Sequence, residues 1–280
     1  MIDRIPGAIV RALLAMLVLA VPSLMLPRGM GDSDQVVAFL GFFAGALIFV
    51  EYLAVYPGLI EFRDAPPYNR IRYVTLLLTV TILTAICVKT AHPSPFVLLA
   101  QSVGDVLGRV VDVPYSPVRL LTLMLPRDAV PEQIAVVRAA AGMAYLISLV
   151  MLGFFVVVLK LFGWPSSNGV FNVWVNLPTF DPTVGGDVVE RLERDARMNL
   201  SVGFLLPFVL PAIMKVAADV VAPVGLTSPE SIIWVVTAWA FVPASLFMRG
   251  IAMGRIADMI RDSRRRAREM EDSFLPALSH

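Results

Sequence analysis

The residues of this chain that are best placed to do chemistry are ionisable side chains lying within long apolar runs. They are Arg11, Glu51, Arg138, Lys215 and Asp219. Where such runs cross a bilayer, each charge costs about 2.5 to 3.5 kcal/mol at the centre, so each needs a partner or a route to the interface. An acid in this setting serves either as a proton or cation site or as half of a structural ion pair. The sequence leaves both interpretations open.

The positions of these residues along the chain predict which of them meet. Arg11 lies near the start of the first apolar run and Glu51 near the end of the second. Antiparallel packing brings these two ends together, which predicts an Arg11–Glu51 ion pair. Arg138 lies near the start of the fourth run, while Lys215 and Asp219 lie one helical turn apart in the fifth. The same reasoning predicts that Asp219 bridges both cations.

Pro207 and Pro211 stand four residues apart within the fifth run. Proline removes a hydrogen bond from a helix interior, so the pair predicts a kink that frees backbone carbonyl groups. Transporters use the carbonyls of broken helices to coordinate ions, whereas other membrane helices contain kinks of purely structural importance. The prolines therefore indicate a kinked span without deciding its role.

Other kinds of site have little support in the sequence. Its one cysteine, Cys87, excludes an intrachain disulfide and a cysteine-built metal or iron–sulfur site. Of the two histidines, His280 is the last residue, which leaves His92 as a candidate ligand to a pigment or metal; a surface histidine at a helix end is the alternative. The sequence contains no phosphate-binding G-x-x-x-x-G-K-[ST] loop, no G-x-S-x-G elbow and no H-E-x-x-H helix. We therefore expect no cofactor, no metal, no nucleic-acid partner and no enzymatic activity.

The elements that must position these residues are membrane-spanning helices. The chain is 58% hydrophobic and 16% charged, with a mean hydropathy of +0.77. A bilayer core of about 30 Å needs roughly 20 apolar residues per helix. Six runs meet this requirement: 8–27, 36–57, 73–92, 134–162, 200–221 and 230–249. They predict an all-α, polytopic integral membrane protein with a transmembrane domain over 1–249 and a basic cytoplasmic helical tail over 250–280.

The basic residues predict how the spans are oriented. If the N-terminus is cytoplasmic, most of the 23 lysines and arginines fall on the inner side. An even number of spans then places both termini in the cytoplasm of a bacterial-type inner membrane. The first run has a basic flank but no convincing cleavage site of small residues, which predicts an uncleaved anchor rather than a secretion signal.

Peripheral amphipathic helices are expected between the third and fourth spans, over 94–126. Ser94-Pro95 and Ser116-Pro117 are typical helix starts, with serine as the cap and proline in the first turn. Apolar residues follow the first pair at helical spacing, and charged residues occupy the other face. We expect helices that lie on the outer membrane surface, and a re-entrant hairpin is the alternative.

The inner loop over 164–199 contains two patterns. Residues 169–178 alternate like a strand, and an exposed apolar strand face is normally covered. This face consists of Phe171, Val173, Val175 and Leu177. We expect it to dock a partner protein, with the membrane surface or the amphipathic helix that follows, over 188–200, as alternative covers.

The tail carries a cluster of arginines soon after the sixth span. They are Arg261, Arg264, Arg265, Arg266 and Arg268. Clustered arginine beside a membrane is typical of contact with anionic lipid, worth about 1 kcal/mol per residue. Since no proline interrupts the chain from Ala244 to Leu275, the span is expected to continue as one helix into the cytoplasm.

Few catalytic motifs, beside several ordered peripheral segments, favour contacts over catalysis. We expect a non-enzymatic accessory, scaffold or assembly subunit of a larger membrane protein complex. Its expected partners are anionic lipids and either other membrane subunits or further copies of the chain. The alternative is an ion channel or small-solute transporter that uses the kinked span 200–221 and the region 95–125.

Overall fold

The computed structural model describes residues 4–27, 34–126, 128–165, 173–181, 183, 185–220 and 226–274. Its regular structure is helical, and the described residues form no strand. In chain order the described helices are α1 (Ile5–Met25), α2 (Asp34–Leu53), α3 (Tyr68–Cys87), α4 (Pro95–Val111), α5 (Pro117–Leu123), α6 (Pro131–Phe162), α7 (Val173–Asn176), α8 (Val188–Val220) and α9 (Pro229–Phe274). This architecture confirms the predicted all-α, polytopic fold.

Six of the described helices, α1, α2, α3, α6, α8 and α9, are long and apolar enough to cross a membrane. They match the six predicted runs in order. α8 begins at Val188 rather than at residue 200, because the charged amphipathic segment continues into the fifth run without a break. α9 runs through Pro243 and continues to Phe274, as predicted from the lack of a later proline.

Three helices begin at Ser-Pro pairs. The hydroxyl oxygens of Ser94, Ser116 and Ser228 accept hydrogen bonds from the backbone N–H three residues ahead, at 3.4, 3.0 and 3.1 Å respectively. Each bond satisfies a donor that the first helical turn leaves unpaired. These caps fix the starts of α4, α5 and α9 and confirm the two helix starts predicted over 94–126.

The spanning helices alternate in direction, so α1 begins and α9 ends on the same side of the bundle, here called the terminal face. The loop between α2 and α3 and the short helix α7 also lie on this face. The opposite face carries α4 and α5, which pack against the first part of α6. The two faces therefore hold different sets of peripheral segments.

Two apolar cores follow one another along the bundle. The core nearer the opposite face is aliphatic, and its most buried members include Leu83, Leu121, Ala140 and Ile233. The core nearer the terminal face has an aromatic centre that includes Phe62, Tyr68, Phe155 and Trp164. The rings of Phe62 and Tyr68 lie 4.3 Å apart, and Trp164 Nε1 donates to the carbonyl of Ala65 at 3.1 Å. The aromatic core thus fastens the α2–α3 loop to the end of α6.

α4 lies against α6 through glycine. A Cβ on Gly142 would lie 2.6 Å from the Cα of Gly108, so the two backbones touch where the helices cross. The larger apolar residues of α4 point away from the bundle and are exposed: Phe96, Leu99, Val103, Val106 and Val110. The predicted apolar face of this helix is therefore its outer face, which suits contact with lipid.

α2 and α8 form the edges of the bundle. Only 11% of the residues in the most apolar stretch of α2, and 17% of those in the most apolar stretch of α8, are buried. α2 packs mainly on α1, and α8 packs mainly on α9. In spanning helices such exposed apolar surface contacts lipid or further spanning helices.

Candidate functional site on the terminal face

A bidentate ion pair joins α9 to the α2–α3 loop on the terminal face. Arg249 Nε lies 2.7 Å from Glu61 Oε2, and Arg249 Nη2 lies 2.9 Å from Glu61 Oε1. The hydroxyl of Thr179 donates to Glu61 Oε1 at 2.7 Å and accepts from Arg249 Nη2 at 3.1 Å. The Glu61 and Arg249 side chains are 13% and 24% exposed, so water screens this pair weakly. The arrangement locks three segments together.

A second set of contacts closes the end of α2. The carboxylate of Glu51 accepts hydrogen bonds from the backbone N–H groups of Gly58, Leu59 and Ile60, at 3.0, 2.9 and 3.2 Å. Arg63 Nη1 donates in return to carbonyl groups in the last turn of α2, at 3.1 and 2.6 Å. Both side chains serve as local caps, because helix ends leave carbonyl groups and the loop leaves N–H groups unpaired.

The predicted Arg11–Glu51 ion pair is wrong: these two described residues do not meet. Arg11 Nη1 donates to the carbonyl of Gly7 at 2.8 Å, and its guanidinium lies 4.5 Å from the centre of the Tyr52 ring. Arg11 does lie beside the end of α2, as antiparallel packing predicts. Glu51, however, lies in the last turn of α2, where loop N–H groups are closer than any cation of α1.

Arg138 contacts α4 and the C-terminal cap of that helix, and its expected bridge to Asp219 stays a prediction. Arg138 Nη1 lies 3.8 Å from Asp112, Arg138 Nη2 lies 4.0 Å from Asp105, and Asp112 also faces Arg119 at 3.3 Å. The cause is the glycine contact that holds α4 on the first part of α6. Lys215 is exposed on α8, and the side chain of Asp219 lies outside the described residues.

The two prolines of the fifth span do not open an ion site at Pro207. α8 continues through Pro207 and Pro211. Pro211 has no N–H to bond the carbonyl of Pro207, and Trp239 Nε1 of α9 donates to that carbonyl at 3.0 Å instead. The freed acceptor therefore holds α8 and α9 together.

The strand predicted over 169–178 is wrong where the structure describes it. Residues 173–176 form the helical turn α7, while Phe171 and the side chain of Val173 lie outside the described residues. Val175 is buried, and Leu177 is part of the core nearer the terminal face. The carbonyl of Asn176 accepts from the Phe62 N–H at 2.6 Å, so the α2–α3 loop covers this segment. For Val175 and Leu177 the chain itself therefore supplies the cover, and the docking role expected for Phe171 and Val173 stays a prediction.

The arginine cluster of the tail is largely engaged with α8 and with α9 itself. Arg261 pairs with Glu193 and, at 3.0 Å, with Asp258. Arg264 lies 2.8 Å from Asp187, which also caps α8 by accepting from the Val189 N–H at 2.9 Å. The α8 cap and Arg264 hold the pKa of Asp187 below its usual range. These pairs arise because 188–200 is the first part of α8 and lies alongside α9.

The rest of the predicted arginine cluster lies farther along α9. Arg265 faces Glu269 one turn ahead at 3.6 Å, and Arg266 and Arg268 are exposed. Their contact with anionic lipid stays a prediction.

A cavity of about 680 Å³ lies between α6 and α8, with α9 along its base. Three cations line it, namely Lys160, Arg197 and Arg255. The two carboxylates in its wall, Glu193 and Asp258, both pair with Arg261. The remaining lining is apolar or glycine and includes Val156, Leu200, Gly250, Ile251 and Gly254. This cavity is a candidate place for a ligand.

Comparisons with protein-family models, curated proteins and solved structures found no match to this chain. The described residues contain no group of three or more His, Cys, Asp or Glu side chains that could hold a metal ion. His92 is exposed in the connection between α3 and α4. The chemistry of the site therefore rests on its charge pairs and on the cavity.

Sequence reasoning missed the residues that organise the terminal face: Glu61, Thr179, Arg249, Lys160 and Arg255. The signal for Glu61 was the dense run of polar and turn-forming residues over 61–70, which is typical of an ordered loop but does not identify its contacts. The signal for Arg249 and Lys160 was their place at the ends of spans, where lysine and arginine commonly reach the interface. Which partners they meet depends on how the helices are rotated, and periodicity does not report that rotation.

Proposed function

We propose that this chain is a non-enzymatic accessory, scaffold or assembly subunit of a larger membrane protein complex. The observation that supports the proposal is the length of α9. Its 46 residues extend about 70 Å, more than twice the hydrocarbon thickness of about 30 Å. Beyond Arg264, which makes the last described ion pair to α8, the helix continues as an arm, residues 265–274, and residues 265–270 of this arm are exposed.

An exposed helix of this kind needs another surface. Most of the stability of a helix in a protein comes from tertiary packing, and residues 265–270 are exposed, so this part of α9 gains little from packing within the described chain. The pair Arg265–Glu269 along the arm is exposed, so it adds only about 0.3 to 0.5 kcal/mol. The exposed cations Arg266 and Arg268 suit an acidic protein surface. A partner subunit supplies that surface in our proposal.

Contacts between α9 and the rest of the bundle hold the arm in position. The Glu61–Arg249 pair and the aromatic core hold the base of α9 against the α2–α3 loop and the end of α6. Asp187 and Glu193 then hold α9 along α8. Because these contacts fix the direction in which α9 leaves the bundle, the arm is presented in one orientation. We further propose a bacterial-type inner membrane with the terminal face in the cytoplasm, on the distribution of basic residues.

The alternative function, a channel or transporter, needs a water-filled path lined by Glu51, Lys215 or Asp219. The Glu51 carboxylate instead accepts hydrogen bonds from loop N–H groups, and Lys215 is exposed at the edge of the bundle. The Trp239 indole donates a hydrogen bond to the carbonyl of Pro207. These contacts favour the scaffold proposal over the transporter.

The test is purification of the tagged protein from its native membrane in mild detergent, followed by mass spectrometry and mass measurement of the intact particle. We expect a companion membrane protein at fixed stoichiometry. Replacing Arg265, Arg266 and Arg268 with Glu should release it, while Lys at the same positions should retain it because the charge is kept. Circular dichroism checks that both variants keep their helices. A native particle that contains only one copy of this chain and lipid would refute the proposal.

A further inference from the structure

The cavity on the terminal face has no part in the proposed scaffold function. Its base is the stretch of α9 that contains Gly250 and Gly254. A Cβ on Gly250 would lie 2.8 Å from the Leu200 side chain, so this glycine is needed for the contact of α9 with α8. A Cβ on Gly254 would meet nothing closer than Ala196 Cβ, at 4.0 Å. Gly254 is therefore not required for packing, and it leaves space open.

The charge around the cavity is positive. The two carboxylates Glu193 and Asp258 are balanced by two arginines: Glu193 pairs with Arg197 at 3.9 Å and with Arg261, and Asp258 pairs with Arg261, which stands just outside the lining. Lys160 and Arg255 form no ion pair with another described residue, and Arg255 Nε donates to the carbonyl of Trp164 at 3.3 Å. Both side chains are exposed and free to reach an anion. The cavity therefore offers two uncompensated cations, one from α6 and one from α9.

The lining and position of the cavity are those of a membrane interface. Lys160 lies in the last turn of α6, and Leu200 lies where the charged part of α8 gives way to its apolar part. Val156, Leu200 and Ile251 continue the cavity with aliphatic surface. A small hydrated anion would gain nothing from that surface, whereas an acyl chain would.

We propose that this cavity binds an anionic phospholipid. The phosphate lies between Lys160 and Arg255, and an acyl chain leaves along the aliphatic wall formed by Val156, Leu200 and Ile251. The preference for a net negative headgroup follows from the two uncompensated cations, since basic residues near a membrane attract anionic lipid. This site differs from the arginine cluster 261–268, whose first members are paired within the chain.

The test compares retention of phosphatidylglycerol and phosphatidylcholine of the same chain length by the delipidated full chain in mild detergent, counted by native mass spectrometry. Each basic residue near an anionic headgroup contributes a factor of about five, so Lys160→Ala with Arg255→Ala should weaken phosphatidylglycerol retention about 25-fold. Lys160→Arg with Arg255→Lys should retain it. Lys89→Ala, which removes an exposed lysine on the opposite face, is the matched control and should bind as the unaltered chain does.

A second pair of variants tests the cavity by shape. Gly254→Leu should fill the space and lower phosphatidylglycerol retention at least tenfold, whereas Gly254→Ala should not, because its Cβ makes only ordinary contact. Equal retention by the double alanine variant and the unaltered chain would overturn the proposal. So would equal retention of the two lipids, or displacement of phosphatidylglycerol by 50 mM inorganic phosphate at constant ionic strength, since the last result would indicate a site for a soluble anion. The changes leave the arm of α9 intact, so lipid loss and partner loss are separate readouts.

Discussion

Arg249 and Glu61, which are 188 residues apart in the sequence, face each other through two parallel hydrogen bonds of 2.7 and 2.9 Å. Bidentate arginine–carboxylate pairs are strong and fix orientation as well as distance. Here the pair joins the end of the last span to the loop that follows α2. Thr179 completes it from the segment before α8, so a single cluster sets the relation of three segments on the terminal face.

Replacing one member of the Glu61–Arg249 pair should leave a charge without its partner, whereas replacing both members should not. Glu61→Leu leaves the mostly buried guanidinium of Arg249 uncompensated, and we expect the free energy of unfolding in mixed micelles to fall by about 3 kcal/mol. Arg249→Leu should have a similar effect. The double variant should cost less than the sum of the two, because no charge is left unpaired.

A matched control is the exposed pair Arg265–Glu269, whose removal should change the free energy of unfolding by no more than about 0.5 kcal/mol. Strict additivity of Glu61→Leu and Arg249→Leu would mean that the two side chains do not interact in the membrane-embedded protein.

The glycine crossing of α4 on α6 gives a second prediction. Gly142→Ala places a methyl group 2.6 Å from the backbone of Gly108, and backbone cannot move aside as a side chain does. We expect a loss of about 1 to 3 kcal/mol in unfolding free energy. Gly153→Ala, on the same helix, meets nothing within 4 Å and should be neutral or stabilising by up to about 1 kcal/mol. Equal effects of the two substitutions would contradict the described contact.

The bond from Trp239 to the carbonyl of Pro207 gives a third prediction. Trp239→Phe leaves that buried acceptor without its partner, and we expect a cost of about 1 to 3 kcal/mol. Pro211→Ala restores the N–H that a helix normally supplies to the same carbonyl. Trp239→Phe should therefore cost less in the Pro211→Ala background. If its cost is the same in both backgrounds, the indole does not serve as the substitute donor.

The sequence was sufficient to predict the six spanning helices and the starts of two peripheral helices. Apolar length alone predicts the six spans, because a bilayer imposes nearly the same length on each. The starts at Ser94 and Ser116 were also predictable, since a cap depends only on neighbouring residues. The continuation of α9 beyond the span followed from the absence of proline between Ala244 and Leu275. These features depend on residues that are close together in the sequence, so they form whatever the helices pack against.

The contacts of the site were less predictable, because they depend on competing partners. Glu51 had a suitable cation at the right depth in Arg11, but loop N–H groups lay nearer. Arg138 was placed correctly near the end of its span, but the docking of α4 brought Asp112 to it, and the apolar pattern of α4 did not predict that contact. The alternation of 169–178 resembled a strand, but Asn176 found backbone partners in another loop. Hydrophobic periodicity shows which face of a segment is apolar, but it does not show which residues pack against that face.

The proposed orientation gives a fourth prediction, tested with single cysteines in a Cys87→Ala background. Tyr115→Cys lies on the opposite face at a position that is 87% exposed, and Met270→Cys lies on the arm at one that is 58% exposed. In intact cells an impermeant thiol reagent should label position 115 and spare position 270, and permeabilised cells should show both. Labelling of position 270 in intact cells would overturn the cytoplasmic assignment of the terminal face.

The last prediction concerns the pH dependence of the contact that holds the base of the arm. The Val189 N–H and Arg264 lower the pKa of Asp187, so this carboxylate stabilises the folded state above the usual aspartate pKa of about 3.9. Its contribution is lost as the pH falls through the lower, folded-state value. The contact of Asp187 with Arg264 should therefore stay closed from pH 8 to pH 5 and open only below about pH 4.

Spin labels at Glu190→Cys and Ala267→Cys, again with Cys87→Ala, report this opening as a broadened distance distribution. Asp187→Asn should broaden it already at pH 7, because the amide carries no charge to hold Arg264. Asp181→Asn is the matched control, since the Asp181 carboxylate bonds Thr183 rather than the arm. Glu193 and Asp258 hold Arg261 one turn earlier along α9, so the broadening should be confined to residues beyond Arg264. A distribution at pH 7 that Asp187→Asn leaves unchanged would show that Asp187 does not position the arm.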